Sequence, residues 1–249
     1  MSAPLLHLQG VSRSFGGLKA VQNVSLSVPP GSLTALIGPN GAGKTTLFAL
    51  MSGFLMPDAG RVAFEGIDIT GRPPHLNARA GMARTFQIVQ PFAAQTVREN
   101  IAVGAHLHEA RRDRALAAAE AVAQRVGLAP QLDKPAADLT VAGRKRLELA
   151  RALATRPRLL LLDEVLAGLN PQEIAEMIPV VRSIADGGVT VLMIEHVMQA
   201  VMNLAEQVWV LAQGELIAHG TPAEVTSNER VIEAYLGHGT AARLRGGAP

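Results

Sequence analysis

Residues Gly38 to Thr46 read GPNGAGKTT, after the apolar run LTALI and before a helical sequence that stops at Gly53. The spacing G-x4-G-K-T between a strand and a helix is typical of a loop that binds phosphate through its backbone N–H groups. Glycine lets the backbone turn these groups toward phosphate oxygens, and the helix N-terminus adds roughly half a positive charge. A glycine-rich turn that merely contains a lysine would not require these flanks. The loop therefore predicts an α/β protein that binds a nucleoside triphosphate.

Two side chains of this phosphate loop have specific expected roles. Lys44 is expected to reach the β- and γ-phosphates, and the Thr45 hydroxyl is expected to ligate Mg²⁺. The nucleotide-binding residues predicted from the loop are Gly38, Pro39, Asn40, Gly41, Ala42, Gly43, Lys44, Thr45 and Thr46.

A second motif lies at the end of another apolar run, where Leu159 to Leu162 precede Asp163 and Glu164. Ligands collect at the carboxyl ends of strands in open α/β sheets. Asp163 is expected to hold Mg²⁺, and Glu164 to orient or deprotonate an attacking water. An acidic pair after an apolar run is often an ordinary strand end. Together with the phosphate loop, however, it predicts a Walker B motif.

Composition excludes several other classes of function. The 249 residues carry a formal charge of +2 and no cysteine, which excludes disulfides, thiolate catalysis and Cys-ligated zinc. The basic runs are short, so no nucleic-acid partner is expected. No apolar run approaches the ~20 residues that cross a bilayer, and the N-terminus does not resemble a secretory signal. We expect a cytoplasmic protein, attached to a membrane only through a partner.

The order of strand and helix signals indicates one α/β domain with a helical insertion. Strand signals are absent between about Pro91 and Asp138, where Thr96 and Glu99 form a predicted capping box and an Ala-rich helix ends at Gly127. The expected fold is a mostly parallel sheet core with an antiparallel β edge. Its predicted parts are the core over 1–90 and 139–236, the helical subdomain over 91–138, and a C-terminal tail over 237–249.

Between the two motifs, Leu139 to Leu153 read LTVAGRKRLELARAL, which resembles the signature segment of ATP-binding cassette (ABC) ATPases. Other segments match that family in order: ARTFQ resembles the Q-loop, AGLN the D-loop and MIEH the switch histidine. The segments SFGGLKAV, ARTFQIVQPF, GLNPQE and IEH together look most like the ATPases of branched-chain amino-acid importers, a group that includes relatives serving urea, small amides or acids. The resemblance covers Leu5 to about Leu236.

The resemblance implies roles for further residues. Glu164, His196 and Lys44 correspond to the catalytic positions, and Gln87 to the family's Mg²⁺ ligand and sensor. Taken alone, Gln87 is better explained as an ordinary loop amide and His196 as a polar residue at a strand end, and only the order and spacing of the motifs favour the family roles. Further nucleotide contacts are implied for Phe15, which would stack on adenine unless it belongs to the core, for Val21 beside it, and for Leu139, Thr140, Val141, Ala142 and Gly143 of the signature.

The signature departs from the LSGGQ of most members. Val141 and Ala142 replace glycines, and Gly143 replaces the usual glutamine, although Thr140 keeps a hydroxyl that can bond the γ-phosphate. The two added side chains put a close approach to the phosphate in doubt. Val165 stands where a proline usually follows the catalytic glutamate, and Asn170 replaces the D-loop aspartate.

The family works as a pair of ATPases that sandwich ATP on integral membrane permease subunits, so the resemblance implies these partners. It also implies an extracytoplasmic solute-binding protein and a position on the cytoplasmic face of the inner membrane. Whether the second ATPase is identical or paralogous, and which solute is carried, stays open. The alternatives are a soluble ABC protein of DNA repair or translation and a P-loop small-molecule kinase.

The residues after Gln87 have two readings. Ile88, Val89, Pro91 and Phe92 are apolar in a stretch predicted to be a loop. They either pack internally or receive a short helix from the membrane protein.

Overall fold

The structure is a computed structural model that describes residues 3–236, so the predicted tail lies outside the described residues. The chain divides into two compact units, one made of the residues up to Pro73 and from Leu192 onward, the other of Pro74–Val191. The strands are β1 (Leu6–Phe15), β2 (Leu18–Val28), β3 (Leu33–Ile37), β4 (Ala59–Phe64), β5 (Ile67–Asp68), β6 (Met82–Arg84), β7 (Leu159–Asp163), β8 (Thr190–Ile194), β9 (Gln207–Ala212) and β10 (Glu215–Gly220). The helices are α1 (Lys44–Ser52), α2 (Pro74–Arg79), α3 (Val97–Ala105), α4 (Arg112–Arg125), α5 (Val141–Ala154), α6 (Pro171–Asp186), α7 (Met198–Leu204), α8 (Pro222–Thr226) and α9 (Glu229–Leu236).

The first unit contains an antiparallel sheet in the order β2-β1-β4-β5. Register shifts between Leu8 and Ser14 interrupt the alternation of β1, which explains why its sequence gives a weak strand signal. The predicted hairpin of β4 and β5 is confirmed. Its turn residues Glu65 and Gly66 both have positive φ, 51° and 75°, as a two-residue hairpin turn requires.

The first unit also contains β10, β9 and β3, which are neighbours in that order, and the last residues of β8. Strand β3 leads to the phosphate loop. Strand β3 is buried along its whole length and runs parallel to β9, with Ala35 opposite Val208. This burial on both faces explains the uninterrupted apolar run in its sequence. Helix α1 follows the loop and ends at Gly53, whose φ of 83° allows the left-handed cap.

The second unit contains strands in the order β8-β7-β6, and β8 includes the point at which the chain passes to the first unit. β6 and β7 are parallel, with Met82 opposite Leu159. The prediction of an α/β fold with a mostly parallel sheet and an antiparallel sheet is confirmed.

Helices α3, α4 and α5 belong to the same unit, and α3 begins with the predicted capping box of Thr96 and Glu99. On α4, Ala115, Ala119 and Ala123 lie at four-residue spacing and are fully buried. This small-residue face accounts for the Ala-rich sequence. No helix among residues 3–236 is both long enough and apolar enough to cross a bilayer.

Gly104 marks a close approach between α3 and α5. A Cβ at this position would lie 2.4 Å from the carbonyl oxygen of Arg151. Gly104→Ala is therefore expected to destabilise the protein by about 1–3 kcal/mol, although alanine has the higher helix propensity. Thermal unfolding measures this as a Tm lower by several degrees. Val103→Ala, at an exposed neighbour on the same helix, serves as the control, and an unchanged Tm for Gly104→Ala contradicts the close packing.

Candidate nucleotide-binding and hydrolysis site

The phosphate loop connects the buried end of β3 to the first turn of α1. Gly38 and Gly43 have φ values of 151° and 100° and lie against main-chain carbonyl groups, so that a Cβ would fall 1.9 Å from the oxygen of Leu211 and 2.2 Å from that of Ala20. Only glycine fits these two positions. No side chain caps the N-terminus of α1, and a helix N-terminus favours an anionic ligand.

The Lys44 ammonium group is held within this loop. Its Nζ donates to the carbonyl oxygens of Gly38 at 2.8 Å and Pro39 at 3.0 Å. These bonds keep a buried cation at the centre of the loop, where its charge favours a phosphate group.

The other predicted contacts of the first unit differ in accessibility. Phe15 ends β1 with 44% of its surface exposed, and the Arg13 guanidinium lies 5.0 Å from its ring centroid. Val21 is buried within β2, so Phe15 offers the more accessible surface for stacking on a base. His196 is exposed and follows β8 and the buried Glu195.

In the second unit, Asp163 is buried at the end of β7 and forms an ion pair with Arg84 of β6. Its Oδ2 accepts from Arg84 Nη2 at 2.9 Å, and its main-chain N–H donates to Thr85 Oγ1 at 3.0 Å. Burial raises the pKa of the Asp163 carboxyl, whereas the hydrogen bond and charge of Arg84 lower it.

The second carboxylate oxygen of Asp163 fits a metal site. Oδ1 is buried and has no hydrogen-bond partner among the described residues. A buried carboxylate oxygen of this kind needs a cation or a water molecule. The donor set therefore suits Mg²⁺, either bound directly or through water.

The side chains of Gln87 and Glu164 lie together in this unit. Gln87 Nε2 donates to Glu164 Oε2 at 2.8 Å. Glu164 has a φ of 50°, a left-handed conformation that costs a non-glycine residue about 1–3 kcal/mol and persists only where the surrounding structure holds it.

The signature segment forms the N-terminus of α5. Thr140 Oγ1 accepts from the Gly143 N–H at 3.1 Å, which caps the helix and leaves the hydroxyl hydrogen free to donate. Leu139 is buried and anchors the segment, whereas Val141 is exposed on the first turn. The replacement of the two signature glycines therefore adds the exposed Val141 side chain and leaves the cap at the N-terminus of α5 in place.

The D-loop ends in another helix cap. Asn170 Oδ1 accepts from the Glu173 N–H at 2.9 Å, and Glu173 Oε2 accepts from the Asn170 N–H at 2.9 Å. The amide at this position thus starts α6 in the same way that an aspartate would.

Sequence reasoning missed three charged residues in this unit. Arg84 and Glu148 have no predicted role of their own, and the basic run Arg144 to Arg146 predicts a solvated helix face, which is wrong for Lys145. All three are largely buried in the structure. The available signal was their position, since Lys145 and Glu148 interrupt the apolar face of α5 at a spacing of three residues.

Comparison with known proteins defines the class of this site. The family described as ABC transporter matches residues 21–167, more than half of the chain. The chain therefore belongs to the ABC transporter ATP-binding family, and it is an ATPase. An ATP-binding cassette of an ABC transporter in its ADP conformation has a TM-score of 0.86 and 32% identity, covering 95% of this chain and all of that one.

Within this family the chain belongs to the branched-chain amino acid branch. Residues 215–241 match the C-terminal family described as branched-chain amino acid ATP-binding cassette transporter. The chain is 38% identical to the high-affinity branched-chain amino acid transport ATP-binding protein LivG of Escherichia coli K12, and 40% identical to BraF of Pseudomonas aeruginosa, which has the same description. Each alignment covers 95% of this chain and 99% of the relative.

The Arg84–Asp163 pair should contribute strongly to stability. Arg84→Met leaves the Asp163 carboxylate buried without its ion-pair partner, which is expected to cost about 3–5 kcal/mol. Denaturant unfolding measures the loss. Arg111→Met removes the exposed pair with Asp113 and is expected to cost less than about 1 kcal/mol. Equal effects of the two substitutions would contradict the assigned importance of the buried pair.

Proposed function

We propose that this ATPase is the energising subunit of an importer for branched-chain amino acids or a related small solute. The likeness to LivG and BraF over nearly their whole length supports this substrate class. The partners are integral membrane permease subunits, a second ATPase and, through the permease, an extracytoplasmic solute-binding protein. The chain then works as a peripheral protein on the cytoplasmic face of the membrane. No observation favours a soluble role in DNA repair or translation.

Three polar residues have separate roles in the proposed reaction. Lys44 binds the β- and γ-phosphates, Glu164 orients and activates the attacking water, and His196 stabilises charge at the transferred phosphoryl group. The hydrogen bond between Gln87 and Glu164 is the observation that carries this proposal, because it joins the sensor amide to the catalytic carboxylate. Phosphoryl transfer requires mainly such positioning and charge stabilisation.

The proposed Mg²⁺ ligands are Thr45, Gln87 and Asp163. When bound, the ion neutralises charge on the β- and γ-phosphates. The free Oδ1 of Asp163 supports its part in this set, and Gln87 can contribute its amide oxygen while its Nε2 donates to Glu164.

ATP is proposed to close a pair of ATPases. The N-terminus of α5, with the Thr140 hydroxyl and the first backbone N–H groups, forms a second set of donors for the γ-phosphate of the partner's nucleotide. ADP lacks that phosphate, so ATP favours the closed pair and hydrolysis releases it. The two subunits are identical or paralogous.

Glu164→Gln is expected to bind ATP but hydrolyse it at least about 100-fold more slowly, because the amide cannot activate water. The variant should accumulate as an ATP-bound dimer, which size-exclusion chromatography with light scattering measures. Glu215→Gln, at an exposed carboxylate of β10, is the control. Near wild-type turnover of Glu164→Gln would exclude this residue as the catalytic carboxylate.

The segment after Gln87 is proposed to receive the membrane subunit. Ile88 exposes 75% of its surface and Phe92 is also exposed, whereas Val89 and Pro91 are partly buried. Exposed apolar side chains in one short segment are typical of a protein interface. Because Ile88 follows the residue that bonds Glu164, force on this segment would reach the hydrolytic site.

Ile88→Glu should uncouple transport from hydrolysis. A charge in the contact is expected to reduce solute uptake into vesicles at least about tenfold, since an uncompensated buried charge is costly. The ATPase rate of the isolated chain should stay within about twofold of wild type, because the exposed side chain has no task in the reaction. Ile67→Glu, at an exposed position of β5, is the control for surface charge. Normal uptake by Ile88→Glu would remove this segment from the interface.

A further inference from the structure

Helix α5 carries three charged side chains, three residues apart, that form hydrogen bonds to the segment from Phe86 to Gln90. We call this segment the Q-loop. Lys145, Glu148 and Arg151 fall on one side of the helix, because steps of three residues rotate slowly around its axis. Lys145 and Glu148 expose only 6% and 9% of their surfaces. We call these three residues the α5 clamp.

Lys145 forms hydrogen bonds to the main chains of both Gln87 and Glu164. Its Nζ donates to the carbonyl oxygen of Gln87 at 3.3 Å and to that of Glu164 at 3.1 Å. The side chains of the same two residues bond each other. A single ammonium group thus fixes the backbone from which both functional groups extend.

Glu148 and Arg151 bond the flanking residues of the loop. Glu148 Oε1 accepts from the Phe86 N–H, and Arg151 Nη1 donates to the Gln90 carbonyl oxygen at 2.9 Å. The Arg151 guanidinium also lies 4.8 Å from the ring centroid of Phe92. The clamp therefore bonds the Q-loop on both sides of Gln87.

The charges of the clamp compensate one another. Burial raises the pKa of the Glu148 carboxyl, whereas the Phe86 N–H and the charges of Lys145 and Arg151 lower it. Buried charges persist where they are paired and hydrogen-bonded. The arrangement meets this condition because the three side chains bond main-chain groups and lie close enough to influence one another's charge. The Gln87 side chain is not used by the clamp and bonds Glu164 instead.

We propose that Lys145 and Glu148 are positioning residues that set the distance and direction of Gln87 and Glu164, and that they transmit movement of the signature helix to this pair. The left-handed backbone of Glu164 fits this role, since a strained conformation persists only where its surroundings hold it. Helix α5 begins at the signature, so a phosphate bound at Thr140 and a displacement of Gln87 act on one rigid element. The inference rests on the proposed roles of Gln87 and Glu164.

The test compares substitutions that remove a hydrogen-bonding group with substitutions that retain it, in the full chain. Lys145→Met and Glu148→Met are expected to lower kcat for ATP about 10- to 100-fold with KM changed less than about threefold, because misplacement by about 1 Å costs this much. Lys145→Arg and Glu148→Gln keep the donor and the acceptor and should stay within about threefold of wild type. Arg144→Met on the same helix is the control, since its guanidinium bonds Ala137 instead of the loop.

Hydrogen exchange gives a readout that does not depend on turnover. The Phe86 amide should exchange at least about tenfold faster in Glu148→Met than in wild type, and at nearly the wild-type rate in Glu148→Gln. If Glu148→Met fails to fold, Glu148→Asp replaces it, because the shorter side chain withdraws the acceptor from the Phe86 N–H. Fast Phe86 exchange with wild-type kcat in the Glu148 variant, or wild-type kcat in Lys145→Met, overturns the proposal.

Failure of this inference is distinguishable from failure of the proposed function. If Glu164→Gln stops hydrolysis while the two methionine variants turn over normally, only the clamp is refuted. If Glu164→Gln itself turns over normally, the proposed hydrolytic roles fall and the clamp falls with them.

Discussion

The placement of Gln87 and Glu164 depends on the hydrogen bonds that the buried Lys145 ammonium group donates to their main chains. This group holds the carbonyl groups of Gln87 and Glu164, which come from separate segments of chain, and so allows their side chains to meet. A buried cation is stable only with several acceptors around it, and here two of those acceptors are the main-chain carbonyl oxygens of the residues proposed to act in hydrolysis. The hydrogen bonds that make the burial of the Lys145 charge possible are therefore the same ones that position Gln87 and Glu164.

A comparable constraint operates in the phosphate loop of the first unit. Gly38 and Gly43 press against main-chain carbonyl groups, and Lys44 bonds the carbonyls of its own loop. These contacts set the backbone conformation of the loop and the position of its lysine. Such preorganisation reduces the cost of ordering the site when the ligand binds.

Much of the fold and of the candidate site could be predicted from local sequence. The GPNGAGKTT loop between a buried strand and a helix, the leucine run before Asp163 and the capping box of α3 each depend on neighbouring residues, and the structure has these elements where the sequence predicts them. The assignments of Thr140 and Gln87 came instead from resemblance to a family. Their nucleotide contacts remain predictions.

Other features could not be predicted because they depend on contacts distant in the chain. Register shifts in β1 break the alternation by which a strand is recognised. The partner of Asp163 lies 79 residues earlier, and the acceptors of Lys145 lie 58 and 19 residues away. A charged residue on a helix gives no sign of whether it faces water or a loop until the packing is known.

The central claim is that ATP hydrolysis at this site drives a solute across a membrane through separate permease subunits. The most direct measurement is the ATPase rate of the chain assembled with its permease in vesicles, with and without the solute-loaded binding protein. The account predicts at least a several-fold stimulation that requires both the binding protein and the solute, accompanied by uptake. An ATPase rate that is the same with and without them, under conditions where the complex is intact, would contradict it.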